Sequence, residues 1–264
     1  MIILRSLLFW VAFLVLIPQA LWVRRTARRF PPADGPRSGQ HGQGGSLRLL
    51  AIGDSIIDGV GVSHLDNALV GQVVAGLSEA VSATIHWQAL GRSGFNSTQV
   101  RRHLLPQAAP EPADLVLVSV GVNDIIGLRN LAHWRREVDE LIKAIIKHSP
   151  NARIAMAAIP PMERFPALPQ PLRSILGMRG RDFQVVLEAV AAGFENVDVV
   201  TPEFDRNLEN FSADGFHPSQ RGYRICARAV SAILSERNGP GVDTEFSQSG
   251  YDRTHELQKK QVDT

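Results

Sequence analysis

Cysteine is almost missing from this chain. Cys226 is the only one among 264 residues, so no intrachain disulfide can form. With no cysteine cluster and no H-E-x-x-H stretch there is no zinc-type ligand set either, and neither a metal nor a cofactor is expected. The main body of the chain also lacks an excess of positive charge, although the pI of 9.0 suggests one. Residues 1–46 carry six arginines against the single acid Asp34, which leaves 22 basic and 25 acidic side chains, a net −3, for residues 47–264. The basicity therefore belongs to the N-terminal segment, and a nucleic-acid-binding face on the main domain loses its support. Apolar content is ample. At 44% hydrophobic, a chain of this length suits one large domain, or at most two, with a buried core, and disorder of the whole chain is excluded.

A long uncharged apolar run occurs once, at Ser6–Val23, "SLLFWVAFLVLIPQALWV". As a helix its 18 residues would extend ~27 Å, just under the ~30 Å hydrocarbon core of a bilayer. Residues 1–30 are therefore expected to be a single membrane-anchoring helix with a basic flank. A cleaved signal peptide is the rival reading, but its one candidate cut, after Ala20, has Pro18 where a small residue is wanted. The arginines of "RRTARR" place the following domain on the cytoplasmic side by the positive-inside rule, with the outer side kept as the alternative. Residues 31–46 are rich in proline and glycine and are expected to be a linker.

From Leu47 onward, short apolar runs alternate with helical patterns. "LRLLAIG", "TIHWQALG", "DLVLVSVG", "RIAMAAIP" and "NVDVVTP" predict five strands, with helices near 66–81, 97–108, 131–148, 179–193 and 219–236. Near-continuous apolar strands spaced by helices imply a mostly parallel sheet covered on both faces, an α/β fold. Ligands of such sheets bind beyond the carboxyl ends of the strands, so the residues just after each strand matter most. Residues 238–264 are polar and without periodicity, and are expected to form a disordered tail.

Gly53-Asp54-Ser55 follows the first strand, and by composition alone such a tripeptide turns up in about one chain in fifteen, so in isolation it is weak. "LGRSGFNST" follows the second, where Gly94 can offer its backbone N–H to a ligand with no side chain in the way. Gly121-Val122-Asn123-Asp124 follows the third; the uncharged amide of Asn123 suits a developing oxyanion, while Asp124 fits a helix cap. "SADGFHPSQRGY" follows the fifth and sets Asp214 three residues before His217. A serine hydroxyl becomes a useful nucleophile when an imidazole takes its proton and a carboxylate fixes that imidazole's tautomer. Each signal alone has a bland reading as turn, cap or bystander. All four falling after strands of one sheet is much harder to explain that way.

These blocks, in this order, resemble the SGNH (GDSL) hydrolase family, over roughly Leu47 to Arg237. The resemblance implies a three-layer α/β/α sandwich with a central, mostly parallel five-stranded sheet, flavodoxin-like, spanning residues 47–237. It implies an ester hydrolase with Ser55 as nucleophile, His217 as general base and acid, and Asp214 orienting His217. The implied oxyanion donors are the backbone N–H groups of Ser55 and Gly94 and the side-chain amide of Asn123, with Gly91 as the nearby alternative to Gly94. Asp58 finds no role, and Asp54 reads as a brace for the turn.

Substrate choice is expected to lie in the apolar stretch "IPPMERFPALPQPLRSILGMRGRDF". Its Phe165, Leu168, Leu172, Ile175, Leu176 and Met178 could line an acyl pocket, touch the bilayer or pack over the sheet. The expected partners are a small-molecule or lipid ester, including lysophospholipid esters, and a membrane through the N-terminal segment. Two other classes compete: a phosphate- or nucleotide-binding doubly wound domain, and a catalytically silent membrane-tethered binding module. The first would need an anion cradle at "GDSIIDGVG", a loop that is acidic at Asp54 and Asp58 and lacks a lysine. The second has no use for Asp214 and His217 together.

Overall fold

Strands built from the predicted apolar runs lie side by side in one sheet. The computed structural model describes residues 2–203 and 207–236, so the tail expected over 238–264 lies outside the described residues. The strands are β1 (Ser38–His41), β2 (Gly45–Gly53), β3 (Ala83–Gly91), β4 (Leu115–Ser119), β5 (Arg153–Ala157) and β6 (Val197–Val200). Their order is β1-β3-β2-β4-β5-β6, parallel throughout except that β1 runs antiparallel to β3. The chain leaves β2 to build β3 on one side, then crosses to build β4 on the other. Strand order therefore reverses at the carboxyl end of β2, where the Gly53-Asp54-Ser55 turn begins.

Strand alternation divides the core into two layers. Leu50 and Ile52 of β2, with Val116 and Val118 of β4, face α5 (Leu131–His148) and α6 (Leu172–Ala191). Leu49, Ala51, Leu115 and Leu117 face the opposite layer, α2 (Leu69–Val81) and α7 (Gln220–Ser235). Each helix contributes a stripe at three- and four-residue spacing, such as Trp134, Val138, Leu141, Ile142 and Ile145 on α5. Trp134 is fully buried, and its indole N–H is satisfied by the Phe183 carbonyl at 3.0 Å.

Three expectations need correction. The sheet has six strands, not five, and the sixth lies inside the segment expected to be a linker: Ser38–His41 pairs with Gln88–Ile85 at the sheet edge. β1 is exposed on both faces, so it carries no apolar alternation by which to be recognised. Upstream of it, Ala33 is buried and the Arg37 guanidinium donates to the carbonyls of Ala33 and Asp58, so much of residues 31–46 is part of the domain. Second, α6 starts at Leu172, not near residue 179. Pro169, Pro171, Gly177 and Gly180 give the stretch the look of a loop, yet a side chain at Gly177 would collide with Glu163, so that glycine marks close packing. Phe165, Leu168, Leu172 and Leu176 are buried in the core and Ile175 and Met178 pack against it, so most of this apolar stretch is structural. Third, the helix expected over 97–108 is broken into α3 (Ser97–Gln99), a π-turn at Val100–Leu104 and a 3-10 turn at Leu105–Gln107.

The N-terminal helix α1 (Ile2–Thr26) packs one side along α6. Phe9 and Phe13 are buried there, and the Arg179 guanidinium sits 4.8 Å over the Phe9 ring and 5.0 Å over that of Phe183. Arg5 pairs with Asp182, while the Gln19 amide bonds to the Gln170 carbonyl at 2.9 Å and to the Leu172 N–H at 3.1 Å. Leu8, Val11, Leu14, Val15, Leu21 and Trp22 remain exposed on the other side. The stretch Leu8–Thr26 is long and apolar enough to cross a membrane. Helix α4 (Val122–Ile126), after β4, completes the elements around the site.

Candidate active site

The turn after β2 owes its shape to two bonds across to β4. The Asp54 N–H donates to the Ser119 carbonyl at 3.0 Å, and Asp54 Oδ1 accepts from the Ile56 N–H and the Ser119 hydroxyl. Gly53 is obligatory here, because a Cβ would lie 2.2 Å from the Ser119 carbonyl oxygen. The brace expected of Asp54 is thus present, and its effect is to present Ser55 at the sheet edge. Burial pushes the Asp54 carboxyl up to about 6, against the opposing pull of its hydrogen bonds.

A raised carboxyl has a consequence for stability. Asp54 holds its proton more tightly in the folded chain than in the unfolded one, so its contribution is fully present below about pH 3.8 and is lost as pH rises through 6. Between pH 4 and 7 the stability of the native chain relative to Asp54→Asn should fall by about 2 kcal/mol. Urea unfolding of both proteins at the two pH values checks this; a constant difference contradicts it.

His217 approaches Ser55 from the loop before α7. Its Nε2 lies 3.0 Å from Ser55 Oγ and its Nδ1 lies 2.6 Å from Asp214 Oδ2. Asp214 Oδ1 accepts three further bonds, from the Ser212 hydroxyl at 2.7 Å, the Phe216 N–H at 2.8 Å and the His217 N–H at 2.9 Å. Burial alone would raise this carboxyl, but the bonds from His217, Phe216 and Ser212 outweigh it and hold Asp214 well below the usual carboxylate range. Nδ1–H is then the donor to Asp214, and Nε2 is free to accept the Ser55 proton.

The sheet edge on the far side of Ser55 carries Gly94 and Asn123. Gly94 has φ +83°, and a Cβ there would meet nothing, so it is the backbone conformation and not the space that calls for glycine. Gly91 is wedged instead against the Ile57–Asp58 backbone, and only Gly94 of the two lines the cavity in front of Ser55. The Asn123 amide gives one N–H to the Phe95 carbonyl at 2.9 Å, which leaves its second N–H for the cavity.

Two residues that sequence reasoning left without a role, or gave a different one, tie these loops together. Asp58 Oδ2 accepts from both the N–H and the hydroxyl of Ser93, at 3.0 and 2.9 Å, so it holds the loop that carries Gly94. Asp124 is fully buried and accepts both the N–H and the hydroxyl of Ser97, joining the Asn123 turn to the Gly94 loop. Its cap is thus on α3, across the sheet edge, and not on the helix that follows it in sequence.

Ser55, Gly94, Asn123 and His217 line one cavity of about 920 Å³, with Asp214 behind His217. Val120, Ile159, Phe165, Phe211 and Phe216 give it an apolar wall, and the edge-to-face ring contacts of Phe165 with Phe211 and Phe216 stiffen that wall. Cys226 also reaches the cavity, but burial pushes its thiol up to about 12 and keeps it from acting as a thiolate nucleophile. A serine hydroxyl hydrogen-bonded to a carboxylate-held imidazole, at the edge of a cavity with an apolar wall, suits acyl transfer.

The model of the GDSL-like Lipase/Acylhydrolase family matches residues 51–225, the stretch that contains all five of these residues. The chain belongs to that family. It is a hydrolase of the esterase and lipase class. The fold is similar to that of a family 3 carbohydrate esterase from Clostridium thermocellum, with a TM-score of 0.56 at 20% identity over 72% of this chain and 99% of that one. A lipase/acylhydrolase from Enterococcus faecalis is similar at 0.56 and 20%, over 72% and 96% of the two chains. A G-D-S-L lipolytic protein from Veillonella parvula is similar at 0.53 and 19%, over 72% and 98%. No curated protein sequence matches the chain.

Proposed function

We propose that this GDSL-family chain cleaves carboxylic esters through an acyl-enzyme intermediate on Ser55, with His217 as general base and acid and Asp214 as the group that orients His217. The observation that carries the reading is the unbroken hydrogen-bonded series Asp214–His217–Ser55 at the edge of an apolar cavity. Ser55 Oγ attacks the ester carbonyl as its proton passes to His217 Nε2. The tetrahedral oxyanion is met by the N–H groups of Ser55 and Gly94 and by the Asn123 amide. His217 returns the proton to the leaving alcohol, the C–O bond breaks, and water activated by the same nitrogen releases the acid. The apolar wall fits the acyl chain of a lipid ester, and α1 fits a membrane attachment that would keep the cavity close to such a substrate.

A fluorophosphonate probe applied to membranes containing the full chain tests both parts. Ser55 should carry the adduct, Ser55→Ala should carry none, and the labelled protein should stay with the membrane fraction. Labelling that persists in Ser55→Ala rejects the nucleophile, and labelled protein in the soluble fraction rejects the anchor.

Asn123→Ala removes one oxyanion donor and leaves the nucleophile and its base in place. Turnover should drop by roughly 10²–10³ with a much smaller change in KM, because the lost bond is strongest in the transition state. Steady-state kinetics on a short-chain nitrophenyl ester checks it, and a loss confined to KM would give Asn123 a role in substrate binding instead.

A further inference from the structure

The cavity in front of Ser55 is apolar on one wall and cationic on another. Arg28 and Arg29 line it together with Phe30, and Arg164 joins them from the loop after β5. Among the described residues, the carboxylates that line the same cavity are otherwise engaged: Asp54 is buried under the Ser55 turn, and Glu163 pairs with Arg181 at 2.7 Å. Among the described residues neither Arg28 nor Arg29 forms an ion pair.

The fold brings the exposed Arg28 and Arg29 to the rim of this cavity. α1 is fixed along α6 by the Arg5–Asp182 pair and by the two bonds of Gln19 at the start of α6. The Ala27 N–H still donates to the Val23 carbonyl at 2.8 Å, so helical geometry runs up to the residue before Arg28. The basic flank, which in sequence reads only as a topology signal, is thereby delivered to the catalytic cavity.

We propose that Arg28 and Arg29 form an anion subsite of this cavity, and that the substrate is an ester of an anionic amphiphile. Its acyl chain lies along Ile159, Phe165, Phe211 and Phe216, and its phosphate or carboxylate headgroup meets the two guanidinium groups, whose planar donors match such oxyanions. The proposal rests on the esterase reading of Ser55.

Two ether lipids without a cleavable carbonyl test it apart from catalysis: 1-O-dodecylglycerol 3-phosphate and 1-O-dodecylglycerol, titrated into the full chain below their aggregation concentrations. The phosphate ether should bind at least about tenfold more tightly, and the preference should shrink as salt is raised. Arg28→Ala/Arg29→Ala should bring the ratio to about one, and Arg28→Lys/Arg29→Lys should keep part of it, with thermal melting used to verify that both variants fold. Equal binding of the two ethers, no binding of the phosphate ether, or a preference that survives in the alanine variant overturns the subsite. Glycerol 3-phosphate, which lacks the chain, should bind far more weakly; binding as tight as that of the ether would assign the site to free phosphate esters and overturn the amphiphile. Fluorophosphonate labelling of Ser55 in the same preparations judges the esterase reading separately.

Discussion

Ser55→Ala is expected to lower kcat for ester hydrolysis on the order of 10⁴–10⁶-fold while moving KM little. The size follows from what the proposed mechanism would lose: the atom that would form the acyl-enzyme bond, and with it the use of the proton acceptor 3.0 Å away on His217. What persists is the cavity and the proposed donors on Gly94 and Asn123, which would still favour the tetrahedral state over the ester. The loss should not deepen when His217 is also replaced, because the two groups act on one proton. A Ser55→Ala/His217→Ala protein should therefore turn over within a few-fold of Ser55→Ala alone. Single-turnover kinetics on a nitrophenyl ester measures both, and additive losses would show that His217 acts through some other group.

The residues at this site were legible because the chemistry-bearing positions follow strands of a parallel sheet, and strand order in such a sheet brings those positions to one edge. Ser55 follows β2, Gly94 follows β3 and Asn123 follows β4, the three strands around the point where the order reverses. His217 and Asp214 share one loop and needed only to reach that edge. The supports were not legible. Asp58 and Ser93 are 35 residues apart and Asp124 and Ser97 are 27 apart, and in each pair neither member differs in sequence from an ordinary turn or cap residue. β1 lacks a pattern because both its faces meet solvent, and α6 hid behind prolines and glycines that serve packing. Least legible of all was how the N-terminal segment packs on the domain. Read along the sequence it is an anchor, a basic flank and a linker. In three dimensions it lies on α6, lines the cavity and adds the edge strand, because Phe9, Phe13, Ala33 and Arg37 each have partners outside the segment.

Asp214→Asn should cost on the order of 10⁴ in kcat at neutral pH, although the side chain keeps its size. The carboxylate is an acceptor only, and by taking the Nδ1–H at 2.6 Å it leaves Nε2 as the acceptor for the Ser55 proton. A carboxamide can turn its NH₂ toward Nδ1, which then becomes the acceptor and shifts the proton to Nε2, where it faces the Ser55 hydroxyl and blocks the transfer. The same substitution should leave a second signature in stability. The carboxyl of Asp214 lies well below its ordinary value in the folded chain, so its contribution is present above about pH 3.8 and is lost as pH falls toward the lower folded value. The stability advantage of the native chain over Asp214→Asn should thus shrink on acidification, opposite in sign to the trend expected for Asp54→Asn. Urea unfolding of the two variants beside the native chain, from pH 3 to pH 7, would show the two trends crossing. If Asp214→Asn retained more than about a tenth of native turnover, tautomer control would not be what this carboxylate supplies.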